Sequence, residues 1–175
     1  MKKLFLIAAL AVATLGSAFA QGPFKAGANL TYGTDNLNLG LGINGAYSIT
    51  EQIEIAAAFS HFFGTSESIP GTSVPGVGTV GGYDLSSSYN VLDVDARYYF
   101  AEAGAFNIYG AAGFAMNMFT SKAGDNKTTG NTSGLNLGIG AKYELNDALS
   151  LVPEVKYTLN DGSFMRIGVS VLYNF

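Results

Sequence analysis

The chain has 175 residues, 23 of them glycine, with 12 Phe, 10 Tyr, no Cys, no Trp and only 13% charged side chains. Without cysteine there is no disulfide framework and no thiolate metal site, and a formal net charge of −4 leaves no basic footprint for nucleic acid. So few charges beside so many aromatics and glycines fit neither an ordinary soluble enzyme nor a disordered chain.

Lys2 and Lys3 precede an apolar run from Leu4 to Leu15, followed by Ser17-Ala18-Phe19-Ala20. This is the layout of a secretory signal peptide with an A-x-A cleavage site. The run is shorter than the roughly 20 apolar residues that a membrane-spanning helix needs. Residues 1–20 are therefore read as the signal and residues 21–175 as one mature domain beginning at Gln21, with seven Lys and Arg against thirteen Asp and Glu, a net charge of −6.

From Gln21 onward the pattern has period two, the signature of strands, with no comparable stretch of helical spacing. The first strand is predicted over Pro23–Tyr32, the second over Asn36–Ile49 after the turn Gly33-Thr34-Asp35, and the third over Gln52–Phe63. Gly64 to Leu85, rich in Gly, Ser, Thr and Pro, reads as a long loop. The fourth strand follows over Ser86–Phe100 and the fifth over Ala105–Phe119. Thr120–Thr132 reads as a second polar loop before the sixth strand, Ser133–Leu145. Asn146-Asp147 turns into the seventh strand, Ala148–Leu159, and Asn160-Asp161-Gly162 into the eighth, Ser163–Phe175. Eight strands with alternating short and long connections predict an antiparallel up-and-down transmembrane β-barrel, with short turns and both chain ends inside and the two long loops outside. An outside partner is expected to meet 64–85 and 120–132.

Parity separates the two faces of each strand. Leu135, Leu137, Ile139, Ala141, Tyr143 and Leu145 alternate with Asn136, Gly138, Gly140, Lys142 and Glu144. Likewise Leu37, Leu39, Leu41 and Ile43 alternate with Asn38, Gly40, Gly42 and Asn44, and Leu92, Val94, Ala96 and Tyr98 with Asp93, Asp95 and Arg97. In the seventh strand Leu149, Leu151, Val155 and Tyr157 oppose Ser150, Glu154 and Lys156. In the eighth, Met165, Ile167, Val169, Val171, Tyr173 and Phe175 face outward, leaving Arg166, Gly168 and Ser170 inside. The apolar parity must face lipid, because Lys or Arg there costs about 2–4 kcal/mol at mid-bilayer. A soluble lipocalin-like barrel would need polar outer faces instead.

The inward parity collects Lys25, Arg97, Lys142, Lys156 and Arg166 against Glu54, Asp93, Asp95, Glu144 and Glu154, five charges of each sign. An eight-stranded barrel is only wide enough for its own side chains, so these groups are expected to pair and fill the lumen as an ion network. Glycines at mid-height in the second and sixth strands leave room for them. A narrow conducting path is the alternative, decided by whether the charges leave a continuous water route.

The signal peptide, the eight segments, the short inner turns and the terminal Tyr173-Asn174-Phe175 resemble the small outer-membrane β-barrel family, of which OmpA-type transmembrane domains and OmpX-like proteins are members. The resemblance implies the outer membrane of a Gram-negative bacterium, with outer-membrane lipid and lipopolysaccharide as surroundings and a monomeric state. It also implies that Tyr173 and Phe175 are the signal read by periplasmic chaperones and the barrel assembly machinery; with the sequence ending at Phe175, the peptidoglycan anchoring of the longer family members is not expected. With no Trp, the interfacial aromatics are expected to be Tyr32, Tyr47, Phe63, Tyr98, Phe100, Tyr143 and Tyr157.

Some barrels of this size are lipid A enzymes with a His beside a Ser or Asp near the outer leaflet, which singles out Ser60-His61, the latter the only histidine. His61 shares parity with Phe59 and faces lipid, whereas Ser60 faces the lumen, so catalysis would require a Ser or Asp from a neighbouring strand. Asp93 and Asp95 have Arg97 next in line and do not suggest a metal site, and no cofactor is expected. Asp125-Asn126 lacks the spacing of a calcium loop. Asn126-Lys127-Thr128 and Asn131-Thr132-Ser133 match the glycosylation pattern by composition alone. The sequence thus predicts a non-enzymatic outer-membrane barrel with a plugged lumen and a role in envelope integrity or surface contact.

Overall fold

The structure, a computed structural model, describes residues 23–34, 37–64, 66–69, 72–74, 78–80, 82–124 and 126–175. The expected signal peptide and Asp35 lie outside these. Eleven strands follow in chain order: β1 Phe24–Gly33, β2 Asn38–Ser48, β3 Ile53–Phe62, β4 Ser66–Ile69, β5 Thr72–Val74, β6 Gly78–Val80, β7 Tyr83–Ala103, β8 Phe106–Ala123, β9 Asn126–Asn146, β10 Leu149–Leu159 and β11 Phe164–Asn174.

The eight long strands form one antiparallel ring, β1-β2-β3-β7-β8-β9-β10-β11, shut by pairing of β11 with β1 from Lys25↔Asn174 to Gly33↔Arg166. Closure is what lipid demands, since an open sheet edge in the hydrocarbon would leave backbone groups without partners. The first and last described strands end side by side, where Phe175 stacks on Phe24 with ring centroids 5.9 Å apart. The connections at that end are tight, as at Gly104, which takes a φ of +64° between β7 and β8.

Burial follows the predicted parity. On β9, Ile139 is 56% exposed on the outer wall and Asn136 only 1% exposed within. Exposed apolar side chains from every long strand make the lipid belt, including Leu41 and Ile43 of β2, Val94 of β7 and Ile167 of β11. Tyr32, Tyr47, Phe63, Tyr98, Phe100 and Tyr157 lie exposed on that wall. The expected Tyr143 is half-buried because it packs against Phe106, a ring the sequence reading passed over, with centroids 5.0 Å apart.

Two expectations need correction. The predicted loop 120–132 is not a loop: β8 and β9 stay paired up to Ala123↔Asn126, and Gly124 turns the chain with a φ of +58°. The predicted loop 64–85 likewise contains β4, β5 and β6, and β7 already begins at Tyr83. These extensions stand beyond the lipid belt, where neither face of a strand has to be apolar, so no apolar alternation announced them. The second correction is Leu37, expected on the lipid face but buried at 4% exposure inside the barrel. Asn38 has a φ of +52°, which interrupts the extended geometry and with it the alternation.

Candidate functional site: the layered lumen

Alternate positions on β7 bring Asp93, Asp95 and Arg97 to the barrel interior, where Glu54 of β3, Glu154 and Lys156 of β10, Arg166 of β11 and Lys25 of β1 meet them. The eight charges form one chain of contacts. Lys25 Nζ lies 2.5 Å from Glu54 Oε2, and Arg97 bridges Glu54 Oε1 and Glu154 Oε2, each at 3.0 Å. Lys156 Nζ then reaches Glu154 Oε1 at 2.9 Å and Asp95 Oδ2 at 2.6 Å, and Arg166 Nη1 reaches Asp93 Oδ2 at 2.7 Å. Four cations and four anions leave this chain formally neutral. The remaining predicted pair stands apart: Lys142 Nζ is 2.8 Å from Glu144 Oε1, but the Glu144 side chain is 57% exposed.

Neutral side chains complete the network, marked in the sequence by their parity and by no motif. The Asn136 amide donates to Asp93 Oδ1 at 2.8 Å and to Asp95 Oδ1 at 3.0 Å. Its oxygen accepts from Thr158 Oγ1 at 2.8 Å and from Arg166 Nη2 at 3.2 Å. Tyr109 donates to Glu154 Oε2 at 2.7 Å and Tyr99 to Glu54 Oε1 at 3.2 Å. The inward glycines make this possible: a Cβ on Gly140 would come within 2.4 Å of the Tyr109 ring.

Apolar layers border the charges. Leu37, Phe62, Val91, Ala115 and Phe164 pack together inside the barrel toward the end that bears the long strand extensions. Tyr109, Ala111, Val152 and Leu172, with Tyr99 against them, pack toward the end where the first and last strands meet. Phe62 and Leu172 share the parity of Ser60 and Ser170, so parity carried to the strand ends would have found them. Between the layers lies a cavity of about 50 Å³, lined by Asn29, Asn44, Ser60, Arg97 and Arg166 among others. Arg97 Nε, Arg166 Nε and Asn44 Oδ1 have no protein partner. The space has room for about three waters, enough to satisfy them.

A family model described as the outer membrane protein β-barrel domain matches residues 5–175. The chain belongs to this outer-membrane β-barrel family. Its place is therefore the outer membrane, and the end with tight turns and both terminal strands is periplasmic by the rule of such barrels. Among solved structures, this outer-membrane barrel is similar to the N-terminal β-barrel domain of Pseudomonas aeruginosa OprF, at 20% identity and a TM-score of 0.59, covering 89% of this chain and 100% of that one. It is also similar to neisserial surface protein A, at 13% identity and a TM-score of 0.62, covering 87% and 96%. A third likeness is Ail, the attachment invasion locus protein of Yersinia pestis, crystallised with the heparin analogue sucrose octasulfate, at 11% identity and a TM-score of 0.56, covering 87% and 96%. At these identities the likeness shows the fold. No curated protein matches the chain.

The other candidate residues are also located. Ser60 is buried in the lumen, donating to Asn29 Oδ1 at 3.1 Å. His61 stands on the outer wall with Nδ1 2.8 Å from Asn90 Oδ1 and its ring edge-on to Phe63. The neighbouring strand thus offers His61 an amide, which orients the ring but accepts no proton in catalysis. Asp93 and Asp95 are engaged by Lys156, Arg166 and Asn136. Among the described residues, no group of three or more His, Asp or Glu is placed to hold a metal.

Proposed function

We propose that this protein is a closed, non-conducting outer-membrane barrel that serves the envelope through its wall and its outward sheet, not through a solute path. The observation that carries this reading is the unbroken run of ion pairs from Lys25 to Arg166, walled by apolar layers on both sides. Buried charges that have found partners hold one another in place, because freeing any one of them strands its neighbour in a low dielectric. The test is single-channel recording of the refolded mature chain in a planar bilayer, with a heat-modifiable gel shift to confirm folding. A folded protein is expected to remain silent. Discrete openings whose selectivity changes on neutralising Arg97 or Arg166 would establish the narrow pore instead.

A role in surface contact has its own support. β9 pairs with β8 from Asn126, yet β10 pairs with β9 only from Leu135, so residues 126–134 carry one strand edge outside the ring with no strand paired to it among the described residues. A contact surface on that projecting sheet fits a barrel whose lumen does no transport. In the same reading Tyr173 and Phe175, in contact at 4.9 Å between ring centroids, are the feature recognised during assembly.

A further inference from the structure

We propose that the outer apolar layer, and not the ion chain beneath it, is what keeps water and ions out of the lumen: Leu37, Phe62, Val91, Ala115 and Phe164 form a hydrophobic gate over a hydrated, charged chamber. This inference rests on the closed-barrel reading and assigns the closure to particular side chains.

The layer is built for coverage. Its five members come from the start of β2, the end of β3, the middles of β7 and β8 and the start of β11; the first four strands are consecutive in the ring, and Phe164 of β11 meets their side chains from the opposite wall. Phe62 and Val91 are fully buried and Ala115 is 1% exposed. Backbone room is cleared for the larger ones. A Cβ on Gly33 would lie 2.5 Å from the Leu37 Cβ, and one on Gly40 would lie 2.8 Å from the Phe62 ring. Polar atoms without a protein partner occur at the edge of the layer and beneath it. Asn117, cross-strand neighbour of Val91 and two residues beyond Ala115, is buried with neither amide atom bonded within the protein. Below it, Arg97 Nε, Arg166 Nε and Asn44 Oδ1 border the cavity. The contact between the two is direct, with the Arg166 guanidinium 5.4 Å from the centre of the Phe164 ring.

Water favours such polar groups, while the five clustered side chains themselves offer no hydrogen-bonding atom. Ser60 and Asn117, each paired across the strands with Val91, Tyr89, paired with Phe62, and Thr158, paired with Phe164, stand at the same heights on the wall. A narrow apolar constriction closes by expelling water, without any need for atoms to fill it completely. An ion network alone is a different kind of barrier, because charged groups facing a water-sized space draw water in.

The two closures separate in single-channel recordings on refolded protein, each variant first shown to fold by its gel shift. Phe62→Ala with Phe164→Ala removes the layer and leaves every charge in place, and is expected to produce discrete openings. Val91→Thr keeps the shape and adds one hydroxyl to the layer, and is expected to raise the frequency of brief openings above the wild-type baseline. Asp93→Asn with Arg166→Gln breaks the ion chain under an intact layer and is expected to stay silent. Openings in the charge variant, or silence in both folded layer variants, would overturn the proposal while leaving the barrel closed. If the double Phe variant does not fold, Val91→Thr alone decides, its silence counting against the gate. Openings in the wild-type chain would instead overturn the closed-barrel reading itself.

Discussion

Asn136 shows how much the interior depends on single side chains. Its amide and its oxygen serve both aspartates, Thr158 and Arg166 at once, so it links the cationic and anionic parts of the network. Arg166 is the counterpart that neutralises Asp93, with Lys156 Nζ next at 3.7 Å. Replacing Arg166 with Met therefore leaves Asp93 short of charge and of hydrogen bonds, and is expected to destabilise the barrel by about 3–5 kcal/mol. Urea titration of folding in lipid vesicles measures this, and adding Asp93→Asn to the same chain should recover part of the loss. Asn38 illustrates a backbone constraint. Its φ of +52° suits Asn or Gly, so Asn38→Ala should cost about 1–2 kcal/mol in the same titration and Asn38→Gly much less.

At the scale of strands, pairing and lipid contact can be separated. β9 is a barrel strand below Leu135 and a projecting hairpin strand above it. Replacing residues 120–129 with Asn-Gly would join the paired Phe119 and Gly130 by a two-residue turn and leave the strand pairings of the ring, which on the β3–β7 side end at Phe62↔Tyr89, intact. The shortened protein is expected to keep its heat-modifiable gel shift, and its loss would mean that the projection is needed for closure. Lipid contact is tested at Ile139, 56% exposed on the outer wall, where Ile139→Arg should cost about 2–4 kcal/mol if the position lies near mid-bilayer. The strands inside the membrane were legible from sequence because lipid and lumen enforce strict alternation. The extensions of β7, β8 and β9 were not, because Thr, Ser, Asn and Lys facing water on both sides carry no such signature. Leu37 escaped for the opposite reason: its residue type fits the lipid face, and only the left-handed turn at Asn38 brings it inside.

For the whole molecule, the ring, its strand order and its neutral interior form one design, in which closing the sheet satisfies the backbone and pairing the charges fills the space that closing creates. The expected silence in planar bilayers tests that design as a unit. Composition and parity were sufficient to determine an eight-stranded barrel and to single out the eight charged residues that meet in its lumen, since a charge on the lipid face is too costly to occur by accident, whereas Glu144, expected inward with them, is exposed at the rim. Which charges pair was decided by the three-dimensional register, which sets Glu54 directly across from Arg97, leaves the like charges Lys156 and Arg166 side by side so that both reach over the lumen to the aspartates of β7, and keeps Lys142 with Glu144 at the rim. Only the tertiary structure placed Leu37, Phe62, Val91, Ala115 and Phe164 in one layer. Alternation tells which side of its own strand a residue faces, but the height at which it meets residues from four other strands depends on the tilt and stagger of the closed sheet.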